Sequence, residues 1–209
     1  MTWALVAICV VGSFLLGSIP FGLVISRVFY KTDIRQSGSG NIGAMNALRT
    51  LGKSGAVAVL VLDAAKGVIP AMLVMQVLHS THLAAIVAAC AVLGHCFSPW
   101  LGFKGGKGVA TSFGAIFALS WPSGMVSIIG WLIGALSTTY SSAGSILAHI
   151  VAPFALWYFT RDPWLTGYGV FAAILIMYTH RENIARIRDG RESGISFLRR
   201  SRLKGDHES

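Results

Sequence analysis

The chain has 209 residues, 54% of them hydrophobic and only 12% charged, with a formal net charge of +9 and a mean hydropathy of +0.67. Soluble domains carry nearer ~25% charged residues, so an ordinary soluble fold is excluded. Apolar runs recurring from end to end predict an all-α polytopic membrane helical bundle in one domain. The lysines and arginines gather in two loops and the C-terminal tail, as in cytoplasmic loops of membrane proteins, which argues against nucleic acid as a partner. Three cysteines, Cys9, Cys90 and Cys96, with no CxxC pairing, exclude a disulfide framework and a zinc site.

In chain order, the first span is expected over residues 2–30, with Pro20 near its inner end as a kink. It lacks the basic leader of a cleavable signal peptide and is long enough to cross. A polar, basic loop at 31–54 precedes a second span at 55–78. The neutral link His79-Ser80-Thr81-His82 leads to a third at 83–100. Residues 102–108 form a glycine–lysine loop. Basic loops at 31–54 and 102–108 and the tail from Arg181 belong on the cytoplasmic side, so an even number of crossings lies between them. Breaks near Pro122, Ser137–Ser141 and Pro163 divide 109–180 into spans at 109–121, 123–137, 141–159 and 163–180. Seven transmembrane helices follow, with the N-terminus outside and the C-terminus cytoplasmic. The first of the four is short, and is expected to start inside the membrane and hold the loop at the interface. The membrane domain is expected over 1–190. Residues 191–209 read as a basic cytoplasmic tail without a catalytic role, Arg199 to Lys204 lying near lipid.

Three polar clusters carry chemistry. Gly102-Phe103-Lys104-Gly105-Gly106-Lys107-Gly108 combines two cations with open glycine backbone, ahead of a helix starting near Val109. Such a loop cradles an anion. It is a near miss to the nucleotide P-loop, because Gly108 stands where Ser or Thr is needed and no strand precedes it. The first loop holds Ser37-Gly38-Ser39-Gly40-Asn41-Ile42-Gly43, then Asn46 and Arg49. Its GxGxxG spacing is not a dinucleotide fingerprint, since a membrane helix precedes it, but Arg49 can grip a phosphate bidentately. Asp63 and Lys66, three apart on one helical face, read as an internal ion pair. His95 stands ahead of the glycine–lysine loop as a candidate proton acceptor. His180-Arg181-Glu182-Asn183 places His180 and Asn183 on one face at the end of the last span.

All three clusters fall on one predicted membrane face and can meet in an interfacial cavity beside lipid. Few acidic residues lie near them, so the reading names no metal and no cofactor. A phosphate-binding cavity next to lipid points to acyl or headgroup transfer. A transporter for an organic phosphate is the rival, but it predicts midplane charge and inverted repeats, and neither is evident.

These residues resemble the bacterial acyl-phosphate:glycerol-3-phosphate acyltransferase (PlsY) family. The likeness is carried by Ser37 through Ala44 with Asn46 and Arg49, Asp63 with Lys66-Gly67 and Pro70, Gly94-His95 with Pro99, Phe103 through Thr111, and His180 through Asn183. It runs in family order over about residues 10–190. Met45 departs from it, where the family usually has Thr. The resemblance implies transfer of an acyl group from acyl phosphate to the sn-1 hydroxyl of glycerol 3-phosphate. It implies a seven-span bacterial inner-membrane protein whose site faces the cytoplasm, with neither CoA nor acyl-carrier protein as donor. On that reading Ser39, Asn41, Asn46 and Arg49 hold glycerol 3-phosphate, while Lys104, Gly105, Gly106, Lys107, Gly108 and Thr111 hold acyl phosphate. His95, Lys104 and Asn183 are the expected catalytic groups, with a phosphate oxygen of the bound donor as the alternative to His95 for the general base. Ser37, Gly40, Gly43, Asp63, Lys66, His180 and Glu182 support them.

Overall fold

The computed structural model describes residues 2–195, and the stretch Arg199 to Lys204 lies outside them. Among the described residues the regular structure is entirely helical. Helices α1 (Trp3–Ser18) and α2 (Phe21–Tyr30) meet at a short break where the chain bends by 42°. The break falls at Pro20, whose ring removes an amide from the helical ladder. The first loop folds into α3 (Ala44–Thr50), which leads through Leu51 into α4 (Gly52–Val77). The remaining helices are α5 (Thr81–Cys96), α6 (Val109–Leu119), α7 (Trp121–Thr138), α8 (Ser141–Thr160), α9 (Pro163–Thr179) and α10 (Arg181–Arg188).

Among the described residues three helices are by themselves long and apolar enough to cross a membrane: α4, α5 with the turn after it, and α8. The bent α1–α2 pair passes the same test when the two helices are counted together. The expected span at 109–121 is shorter than a crossing. With 11 residues, α6 rises only ~16 Å at 1.5 Å per residue, about half of a ~30 Å hydrocarbon layer. Ser120 turns the chain straight into α7, so α6 and α7 form a hairpin.

Alpha-5 runs through the middle of the bundle, and its Ala84, Val87, Ala88, Ala91 and Val92 are fully buried. Small side chains suit a lipid setting, where close backbone packing replaces hydrophobic segregation. The α4–α6 contact depends on this most. A Cβ on Gly67 would overlap the Thr111 carbonyl, and one on Gly114 would overlap that of Ala64. Alpha-6 therefore lies directly on α4, with α7 folded back beside it, and this places one cavity at the level of the α6 N-terminus.

Candidate active site

That cavity, about 960 Å³, is lined from five directions. The first loop and α3 contribute Ser39, Asn41, Gly43, Asn46 and Arg49. The α6 N-terminus contributes Lys107, Gly108, Val109 and Ala110, and α8 contributes Ser142 and Ser145. His180, Asn183 and Arg186 come from the α9–α10 junction. Asp63 and His95 close the inner end. Segments separated by more than a hundred residues thus meet at one place.

The first loop is built around Asn46. Its carboxamide donates to the carbonyls of Ile34 (2.9 Å), Ser37 (3.1 Å) and Asn41 (2.8 Å) and accepts from the Ser39 amide at 2.8 Å. Gly38 and Gly40 have φ of 61° and 71°, and a Cβ on Gly38 would strike the Asn46 oxygen. Asn46, expected as a phosphate ligand, is instead committed to shaping the loop. The Asn41 oxygen is likewise taken, by the Gly43 amide at 2.8 Å. Ser39 and Arg49 keep free donors, Arg49 having one bond to the Ser193 carbonyl at 3.2 Å. Ser37 and Gly40 are exposed and stand off the lining.

The glycine–lysine loop distributes its parts differently from the expectation. The Gly105 and Gly106 amides donate to the carbonyls of Cys96 and His95, both at 3.0 Å, so they are not open to an anion. Lys104 is exposed and lies outside the cavity lining. Thr111, a turn into α6, is fully buried against Gly67 and also off the lining. The part of this segment that lines the cavity is Lys107 with the first turn of α6. Gly108, at φ 84°, turns the chain so that α6 begins there, which aims the positive end of its dipole into the cavity. Lys107 bonds the Asn183 carboxamide oxygen. Burial, with Arg186 nearby, lowers the Lys107 ammonium to about 8, against a partial offset from Glu192.

His95 Nδ1 lies 3.3 Å from Lys66 Nζ and 3.6 Å from Asp63 Oδ1, and Lys66 pairs with Asp63 at 2.8 Å, both side chains 1% exposed. The other ring nitrogen abuts Gly106, where a Cβ would overlap it. The buried Asp63–Lys66–His95 set therefore props the glycine loop. His180 donates Nδ1–H to the Ile176 carbonyl at 2.9 Å, leaving Nε2 as an acceptor. Glu182 is solvent-exposed, 4.0 Å from Arg186.

Ser142, Ser145 and Glu192 were not among the expected site residues. Gly190, at φ 67°, turns the chain back after α10, and Glu192 enters the site. Its carboxylate accepts from Ser142 (2.8 Å), Asn183 (2.6 Å) and Arg186 (2.8 Å). Those three donors outweigh burial and hold its carboxyl below the usual range. Ile195 then docks beside the α7–α8 turn, its amide donating to the Thr139 carbonyl at 2.8 Å. The segment expected to be a tail from 191 onward thus begins as a strap over the cavity. The available sequence signal was a carboxylate following Gly190-Arg191 in an otherwise basic stretch.

A lining that combines cations and a helix N-terminus with Val57, Leu60, Phe113, Ile128 and Leu132, in a bundle of apolar helices, suits a phosphate head together with an apolar chain and marks the class as a membrane-embedded protein. Comparison with known proteins agrees. The family model for glycerol-3-phosphate acyltransferase matches residues 7–190. The glycerol-3-phosphate acyltransferase of Dinoroseobacter shibae is 43% identical over 94% of this chain and 96% of its own. That of Bradyrhizobium diazoefficiens is 43% identical over 92% and 96%. A crystal structure of PlsY, an integral membrane glycerol 3-phosphate acyltransferase, in its glycerol 3-phosphate form, superposes with a TM-score of 0.85 at 39% identity. It covers 91% of this chain and 95% of that one. The lysophosphatidic acid form gives 0.83 at 38% identity, over the same shares. The chain belongs to the glycerol-3-phosphate acyltransferase family and is a membrane acyltransferase.

Proposed function

We propose that this enzyme moves an acyl group from acyl phosphate to the sn-1 hydroxyl of glycerol 3-phosphate, releasing lysophosphatidic acid and inorganic phosphate. It would do so on the cytoplasmic side of a bacterial inner membrane, with no cofactor or metal and with neither CoA nor acyl-carrier protein as donor. The observation that carries this reading is the two-ended cavity, whose cationic end, formed by Lys107 and the α6 N-terminus, adjoins its apolar wall. An acyl phosphate has that same division.

In this reading Ser39, Arg49 and Asn183 hold the phosphate of glycerol 3-phosphate. Lys107 and the amides from Gly108 onward hold the acyl phosphate and stabilise the charge that develops on its carbonyl oxygen and departing phosphate. The sn-1 oxygen attacks the acyl carbon, the carbonyl carbon–oxygen bond to phosphate breaks, and the proton passes to the departing phosphate. Because the donor is a mixed anhydride, holding both substrates in register supplies much of the rate. The proton acceptor in this reading is a phosphate oxygen of the bound donor, with His95 on the lining as the alternative. The membrane arrangement we infer has seven segments, with the N-terminus outside and the C-terminus inside.

The test is purified protein with acyl phosphate and glycerol 3-phosphate, with and without a chelator. Chelator-resistant formation of lysophosphatidic acid is expected. Turnover only with acyl-CoA or acyl-carrier protein would overturn the donor assignment.

A further inference from the structure

Four cations line the cavity. Arg49 is held by the Ser193 carbonyl, Lys107 by Asn183 and Arg186 by Glu192. Lys53 is exposed, lines the cavity, and has no hydrogen-bond or ion-pair partner among the described residues. It heads one face of α4: Lys53, Ala56, Val57, Leu60 and Ala64 all line the cavity, at spacings that place them on one helical stripe. The stripe has Lys53 at one end and Asp63, which also lines the cavity, ~15 Å of helix rise further on, with Ala56, Val57 and Leu60 between them.

The same stripe faces outward. Val57 is 59% and Leu60 49% exposed, and across the gap on α7 Leu132 is 43% and Ile128 37% exposed. Apolar groups that both line a cavity and stand open at the surface of a membrane bundle are covered by lipid chains. The cavity is therefore a slot that opens sideways between α4 and α7, with Phe113 of α6 on its floor. Lys53 stands at the headgroup end of that slot.

We infer that Lys53 is the residue at which a single-chain phosphate amphiphile enters or leaves the site, its phosphate on the ammonium and its chain along Val57 and Leu60. This rests on the proposed reaction, which supplies two such molecules, acyl phosphate as donor and lysophosphatidic acid as product. A positive charge on a long flexible stem suits a head that must pass through, because it can follow the phosphate.

The experiment measures KM for acyl phosphate, KM for glycerol 3-phosphate and inhibition by lysophosphatidic acid, for wild type, Lys53→Gln and Lys53→Arg. In Lys53→Gln the acyl phosphate KM and the lysophosphatidic acid inhibition constant are each expected to rise about tenfold, the loss of one partly exposed charge-assisted contact. The glycerol 3-phosphate KM stays within about twofold, and Lys53→Arg restores the wild-type values. A rise for one amphiphile only assigns Lys53 to entry or to exit. No rise for either, or an equal rise for glycerol 3-phosphate, overturns the inference. Direct binding of lysophosphatidic acid to the detergent-solubilised protein is the independent arm. If wild type fails to use acyl phosphate, the donor assignment falls while this binding difference still decides Lys53.

Discussion

The two lysines of the glycine–lysine loop are three residues apart and have different fates. Lys104 is exposed, whereas Lys107 lines the cavity beside Asn183. Lys107→Met is expected to lower kcat/KM by ~10²-fold or more, as for loss of a charge that stabilises a developing anion. Lys104→Ala is expected to stay within about fivefold, and the reverse order would move the site back to the middle of the loop. The lowered ammonium of Lys107, at about 8, also fixes a pH dependence. Only the protonated form attracts phosphate, so kcat/KM falls as pH rises through about 8 in the free enzyme. Lys107→Arg stays charged and removes that limb. His95 has a separate test. Asn at 95 can still accept from Lys66 but cannot take up a proton, so His95→Asn is expected to keep activity within about tenfold. A loss of ~10²-fold or more would make His95 the base.

At the scale of elements, the strap after α10 ties α8 to α10 through one carboxylate. Glu192 is 7% exposed and satisfies Ser142 of α8 with Asn183 and Arg186 of α10. Glu192→Ala strands all three donors and is expected to destabilise the protein by about 1–3 kcal/mol. Because the folded state lowers this carboxyl, the stabilisation is complete at neutral pH and is lost as pH falls through the depressed value. Thermal unfolding in detergent at pH 7 and pH 4 measures both, and the difference between variant and wild type narrows at the lower pH. An unchanged unfolding midpoint at pH 7 would show that the strap carries no load. The legibility of the sequence divides along the same line. The residue types at the site and their meeting on one face could be read from spacing and charge, since both follow from helical periodicity and the distribution of cations. Which amides in the glycine loop are open could not, because that depends on whether Cys96 and His95 carbonyls lie opposite them. Asn46 looks like a ligand for the same reason it is a good scaffold, since its carboxamide suits either task. Glu192 was hidden because nothing local reports that Gly190 turns the chain back.

At the scale of the whole molecule, the short α6 bears on topology without upsetting it. Alpha-6 and α7 form a hairpin whose ends, Val109 and Thr138, both lie toward the cavity: Val109 and Ala110 line it, and α8, which begins just beyond α7, supplies Ser141 and Ser142. Whether the bend at Trp121, 70% exposed, reaches the far interface or stops within the bilayer, the chain returns to the side it left. The sidedness of every other helix is therefore independent of how deep the hairpin goes. Alpha-4 provides the cleanest measurement of sidedness. Ser54 and Gln76 are both exposed and both lie within it, and the ~33 Å of rise between them exceeds a ~30 Å hydrocarbon layer. In a background with Cys9, Cys90 and Cys96 replaced by alanine, Ser54→Cys is expected to react with a membrane-impermeant thiol reagent only from the cytoplasmic side. Gln76→Cys is expected to react only from outside. The basic residues of the first loop, Arg49 and Lys53 among them, stand at the Ser54 end, so labelling of both positions from one side would mean that α4 does not cross, and labelling of Ser54→Cys from outside would mean that the cavity does not face the cytoplasm.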